Sequence, residues 1–179
     1  MNRIDLIHAL ANLDRHGVYV LLKRDIEKMF PDEGDKAMEK SLQRMVADGL
    51  LVRAAKGVYV NPAARSRNGW IVEEVAKALR PGKLCYVSLE SMLSEFGAIS
   101  QAPINRITVM TTGASGLACT PYGDIEFTHT KRQKANIVQR TNFVKGRPLR
   151  FATKQTAYRD LVRVGRNLNM VDQDELAEG

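Results

Sequence analysis

Cysteine, aromatic residues and long apolar runs are all scarce in this 179-residue sequence, which has 2 Cys, 1 Trp and 6% aromatics. No stretch of about eighteen apolar residues occurs, so no membrane-spanning helix is expected. The opening "MNRIDLIHALANLDRHG" carries Asp5 and no continuous apolar block, unlike a secretory signal. Cys85 and Cys119 stand alone, without a CxxC pair. Free thiols in a reducing cytoplasm are expected rather than a disulfide.

Catalytic constellations are equally thin. His8, His16 and His129 are scattered, with no partner at metal-ligand spacing. "TTGASG" (111–116) lacks the lysine of a phosphate-binding GxxxxGK[ST] loop and misses the GxSxG elbow. It reads as a hairpin loop. Glu73-Glu74, and Glu90 with Glu95, read as solvent faces of helices. No active site, metal or cofactor is expected, and the chain reads as a non-enzyme.

What is present is positive charge, unevenly placed. The net formal charge is +7. Residues 1–61 contribute +1, residues 62–130 are neutral, residues 131–167 contribute +10 and the last twelve residues contribute −4. Asp160 is the one acid among the eleven bases of 131–167. A polyanion-binding face needs such a field.

Periodicity predicts helices over 2–14, over about 23–30 ended by Pro31, and from an Asp35 N-cap to Gly49. In the third, Met38, Leu42, Met45 and Val46 form a core-facing stripe at i, i+4, i+7, i+8. Two β-prone runs follow, 50–53 and 57–60, around a turn that projects Arg53 and Lys56. "NPAARSRNG" (61–69) reads as a linker. Beyond it, helices are expected over 69–80, after Ser88 and from Thr153, the last with Ala157, Tyr158, Leu161 and Val162 inward. Strands are expected over 84–87, 105–112 and 124–129, with an edge strand at 148–151. The acidic tail "DQDELAEG" is expected to fray.

The third helix has a second stripe. Lys36, Lys40, Gln43 and Arg44 share the opposite spacing. Arg and Gln form bidentate bonds to base edges and Lys neutralises phosphate, so this face suits a DNA major groove. The cationic turn then lies against the neighbouring backbone or minor groove. In the last helix Lys154, Arg159, Arg163 and Arg166 form a further basic face, suited to phosphate contacts or an acidic protein partner.

The phrases "GLLVRAAKGVYVNP", "YVSLESMLSEFGAISQAPINRITVMTT", "PYGDIEFTH" and "FATKQTAYRDLV", in that order, resemble the AbiEi-type antitoxins of type IV toxin–antitoxin systems. The similarity covers roughly residues 15–165. It implies an α+β protein with a winged helix-turn-helix DNA-binding domain (1–62) and a small α/β C-terminal antitoxin domain (63–179). It implies autorepression at double-stranded operator DNA, and activity against a co-encoded nucleotidyltransferase-like toxin. The recognition helix then falls on Lys36–Asp48 and the wing on Leu50–Val60. On an inverted repeat two copies are needed, as a homodimer or side by side. The competing expectations are a stand-alone repressor with a ligand-sensing C-terminal domain, and a small nucleic-acid-modifying enzyme.

Overall fold

The first 79 residues form one unit of an α+β chain, and a second begins at Arg80. The computed structural model describes residues 1–100 and 104–177. In the first unit the order is α1 (Arg3–Arg15), β1 (Val20–Leu22), α2 (Lys23–Met29), α3 (Asp35–Ala47), β2 (Val52–Ala55), β3 (Val58–Val60) and α4 (Ile71–Leu79). Asn2 caps α1 by accepting the Asp5 N–H at 2.8 Å. Asp35 opens α3 but the N-cap is Gly34, which offers no side-chain bond. The expected stripe holds: Met38, Leu42 and Met45 are buried with Leu6, Leu10 and Ile26 in one core. At roughly 1.5–3 kcal/mol per buried side chain, this apolar cluster is what seats α3.

Three strands close the unit in the order β1-β3-β2, all antiparallel. A register irregularity between Arg53 and Ala55 lengthens β2 past the expected turn. The turn is therefore Lys56-Gly57, with Gly57 at φ +74°, a backbone state that L side chains adopt reluctantly.

The segment 61–69 is not a free linker. Asn61 and Ala64 are buried. Asp14 of α1 accepts from Ser66 Oγ at 2.6 Å and from the Arg65 and Ser66 amides at 2.9 Å each. The domain boundary accordingly falls at Leu79/Arg80 rather than 62/63, because α4 packs on β1 and β3.

The second unit has a six-stranded mixed sheet, ordered β6-β7-β5-β4-β9-β8. Its elements are β4 (Cys85–Val87), α5 (Leu89–Glu95), β5 (Arg106–Thr111), β6 (Gly116–Ala118), β7 (Asp124–His129), α6 (Lys134–Gln139), β8 (Thr141–Asn142), β9 (Arg150–Ala152), α7 (Lys154–Val164) and α8 (Gln173–Ala177). β5 and β7 run parallel, so "GASG" does not join them as a hairpin; β6 intervenes and pairs antiparallel with β7. β9 is interior, parallel to β4, and the short β8 is the edge. α5 packs on α7 and on β5. Of the acidic tail, 173–177 is helical, and 178–179 lie outside the described residues. Among the described residues no helix is long and apolar enough to cross a membrane.

Hydrogen bonds, led by that from the Ser66 side chain, hold the Asp14 carboxyl below the usual aspartate range. The clasp on 61–69 is thus intact above that range and released as pH falls through the lowered value. In Asp14→Ala, the Arg65 and Ser66 amides should exchange with deuterium faster at neutral pH, while the buried α3 amides keep their protection. Unchanged exchange at both positions would contradict this account.

Candidate nucleic-acid interface and arginine groove

The stripe opposite the core of α3 is exposed over Lys36, Lys40, Gln43 and Arg44. Among the described residues Lys36, Lys40 and Gln43 have no side-chain partner. Glu39, the acid on this face, accepts a hydrogen bond from Lys23 Nζ of α2 at 3.1 Å. That bond raises the Lys23 ammonium above the usual lysine range. An exposed pair of this kind adds little stability. Its consequence is electrostatic: the negative charge of Glu39 is offset beside the two free lysines.

Arg44 is directed differently. Its guanidinium donates to the Met1 carbonyl at 3.2 Å and to Ser41 Oγ at 3.3 Å, toward the start of α1. Arg53 sits on β2, opposite Tyr59, and not at the hairpin tip. It lines a small cleft with Gln43 of α3, so the structure brings these two expected site residues together. Lys56 occupies the tip and is exposed.

In the second unit, the four residues expected to share one basic face separate. Arg166 lies beyond α7 and turns inward. It donates through Nε to Glu90 at 2.8 Å and through Nη1 to Glu126. These bonds, Glu90 foremost, reinforce its positive charge. Burial alone would raise the Glu90 carboxyl, but bonds from Arg166, from its own backbone and from Asn167 keep it below the usual glutamate range. Glu90, only 2% exposed, is therefore not on a solvent face, and Glu73 is also buried. Lys154 is held against α8, donating to the Glu175 carbonyl at 2.8 Å.

Arg159 and Arg163 remain exposed and line a groove of about 620 Å³ with Arg132, Arg140, Tyr158 and Val162. Beneath it is Asp160, at 0% exposure. One of its oxygens accepts from Tyr86 Oη at 3.1 Å and Ser88 Oγ at 2.9 Å. Arg132 Nη1 lies 2.5 Å from the other and donates to Tyr86 Oη at 2.8 Å. Burial, then the adjacent Asp160 charge, pushes the Tyr86 hydroxyl well above the usual tyrosine range, so it stays protonated as a donor. Ser88 flanks α5 as expected but its hydroxyl serves Asp160, not the helix end. The inward face of α7 is rotated to suit: Thr156, Ala157, Asp160 and Leu161 are buried, while Val162 is exposed.

Sequence reasoning missed Asp160 as an anchor and grouped Arg132 and Arg140 with a general basic run. The available signal was one acid among eleven bases, next to Leu161 and three positions after Ala157. Among the described residues no His/Cys/Asp/Glu group suits a metal ion, and both cysteines are free.

No family model and no curated protein matches this sequence. Among solved structures the chain is similar to the crystal structure of the RV2827C protein from Mycobacterium tuberculosis, with a TM-score of 0.51 and 14% identity. The match covers 76% of this chain and 48% of that one, so it spans about half of that protein's length. At this identity the likeness concerns the fold alone.

Replacing Arg166 by Met should cost the second unit about 2–3 kcal/mol, because Glu90 would keep its buried charge without its main partner. Arg159→Met, at an exposed unpaired position, should change stability by less than about 0.5 kcal/mol. Urea unfolding of the two variants decides this, and equal losses would contradict the burial argument.

Proposed function

We propose that the chain is a transcriptional autorepressor that binds operator DNA through its first unit, and an antitoxin against a co-encoded nucleotidyltransferase-like toxin. The single observation carrying the DNA-binding half is the outer face of α3. It offers Lys36, Lys40 and Gln43 exposed and unpartnered, with Gln43 sharing a cleft with Arg53 of the following hairpin. The element order α1-β1-α2-α3-β2-β3, with β1 beside β3, is that expected of a winged helix-turn-helix. In this reading α3 enters the major groove, Gln43 reads a base edge, and Lys36 and Lys40 neutralise phosphates. Lys56 at the hairpin tip reaches the flanking backbone. Arg44, bonded toward the chain start, serves chiefly to orient α3 rather than to read bases.

The antitoxin half rests on the ordered sequence phrases of the AbiEi-type resemblance. The toxin is proposed as the functional partner, and two copies of the chain are proposed to occupy an inverted repeat on DNA.

Gel-shift titration on DNA from upstream of its own coding sequence tests the first half. Lys36→Gln and Lys40→Gln should each weaken binding to all sequences and flatten the salt dependence by about one unit of slope. Gln43→Ala should cost about 1–3 kcal/mol on the preferred site and relax preference at one base pair. A triple variant that binds as tightly as the unaltered chain sinks the DNA assignment. Co-expression with the neighbouring toxin gene tests the second half. The same triple variant should lose operator binding yet still restore growth; failure of the unaltered chain to restore growth removes the antitoxin reading.

A further inference from the structure

Arginine is common in the second unit, but most of its guanidinium groups are already engaged. Arg106 lies near Asp124 and Glu126, Arg147 pairs with Glu95, and Arg166 with Glu90 and Glu126. Arg80 stacks over Phe127 at 3.9 Å, and Arg150 donates to Thr141. The exceptions converge. Among the described residues Arg140, Arg159 and Arg163 have no side-chain partner, and all three line the groove between α6 and α7.

Gathering like charges around one depression is unfavourable by itself. Asp160 is an acid paired at the groove, and it is committed to Arg132. Among the described residues Arg140, Arg159 and Arg163 form no salt bridge. Arg132 is 9% exposed at its side chain and held by both Asp160 and Tyr86, so its position is set before any ligand arrives. Such a cradle selects a compact polyanion. The planar guanidinium fork matches phosphate oxygens two at a time. At about 620 Å³ the groove has the size of a small-molecule site rather than an extended track. Tyr158 and Val162 supply an aromatic and an apolar wall, which inorganic phosphate does not need and a nucleobase does.

We propose that the groove between α6 and α7 binds a free nucleoside di- or triphosphate, its phosphates on Arg132, Arg140, Arg159 and Arg163 and its base against Tyr158. The site shares no residue with the α3 face, and its absence would leave the DNA-binding reading standing.

Isothermal titration calorimetry of the full chain with ATP, GTP, CTP and UTP in turn tests this, in about 0.15 M salt to screen diffuse attraction. Saturable one-to-one binding of at least one nucleotide is expected, with displacement by pyrophosphate. Arg159→Gln/Arg163→Gln should weaken it about a hundredfold, since each of the two charge-assisted bonds lost is worth about tenfold or more. Both side chains are exposed, so the variant keeps its fold; Lys83→Gln, an exposed lysine elsewhere in the unit, should bind as the unaltered chain does. Absence of saturable binding for all four nucleotides overturns the proposal. So does equal affinity in the double variant. Binding of a single-stranded oligonucleotide at the groove that no nucleotide displaces would also overturn it, in favour of a nucleic-acid surface.

Discussion

The second unit is organised around one fully buried carboxylate. Asp160 survives without water because Tyr86 and Ser88 donate to one oxygen and Arg132 stands against the other. An unpaired charge at that depth would cost several kcal/mol. The partners come from β4, from the residue after it and from the segment before α6, so one carboxylate ties three parts of the chain to α7. It also sets the rotation of α7 about its own axis. With Asp160 inward, Tyr158, Arg159, Val162 and Arg163 line the groove, and Arg166, past the helix end, meets Glu90 and Glu126.

A second constraint sits at the start of α5. Leu89 is buried with φ +56°, a conformation costing a non-glycine residue about 1–3 kcal/mol. Its neighbours explain why the strain persists: Ser88 serves Asp160 and Glu90 serves Arg166. The polar partners on both sides over-determine the backbone between them. The large positive charge of 131–167 is therefore no uniform field. Part is absorbed by acids, part stacks or bonds internally, Lys131, Lys134 and Lys145 stay on the exposed surface, and Arg132, Arg140, Arg159 and Arg163 gather at one groove.

The helices α1, α2, α3 and α7 were legible because each carries apolar residues at helical spacing bounded by proline, glycine or a capping side chain. Thr153 caps α7 as its type suggests, accepting the Thr156 N–H at 3.2 Å. The strands β1, β6 and β8 were not legible: each is two or three residues long, too short for an alternating pattern, and unlike the equally short β3, β4 and β9 none was marked out from the sequence. The parallel pairing of β5 with β7 escaped notice because register between non-adjacent strands is set by the whole sheet. Of the candidate site, the two faces of α3 could be read directly from spacing. The fate of Arg166 could not, since its partners lie 76 and 40 residues away. Nor could the clasp of Asp14 on Ser66, which spans 52 residues.

The sheet order carries a consequence for biogenesis. The first unit completes its strand pairing once Val60 and its neighbours have left the ribosome, its widest strand pairing, Val20 with Val60, spanning forty residues. The second cannot: its strand β4 must wait for β9, and α5 for α7, each more than sixty residues downstream. A nascent chain halted near residue 145 would thus carry a folded first unit beside a second whose central strand still has an open edge. Such edges invite unwanted strand addition, so this later stretch is where the chain would lean most on chaperones.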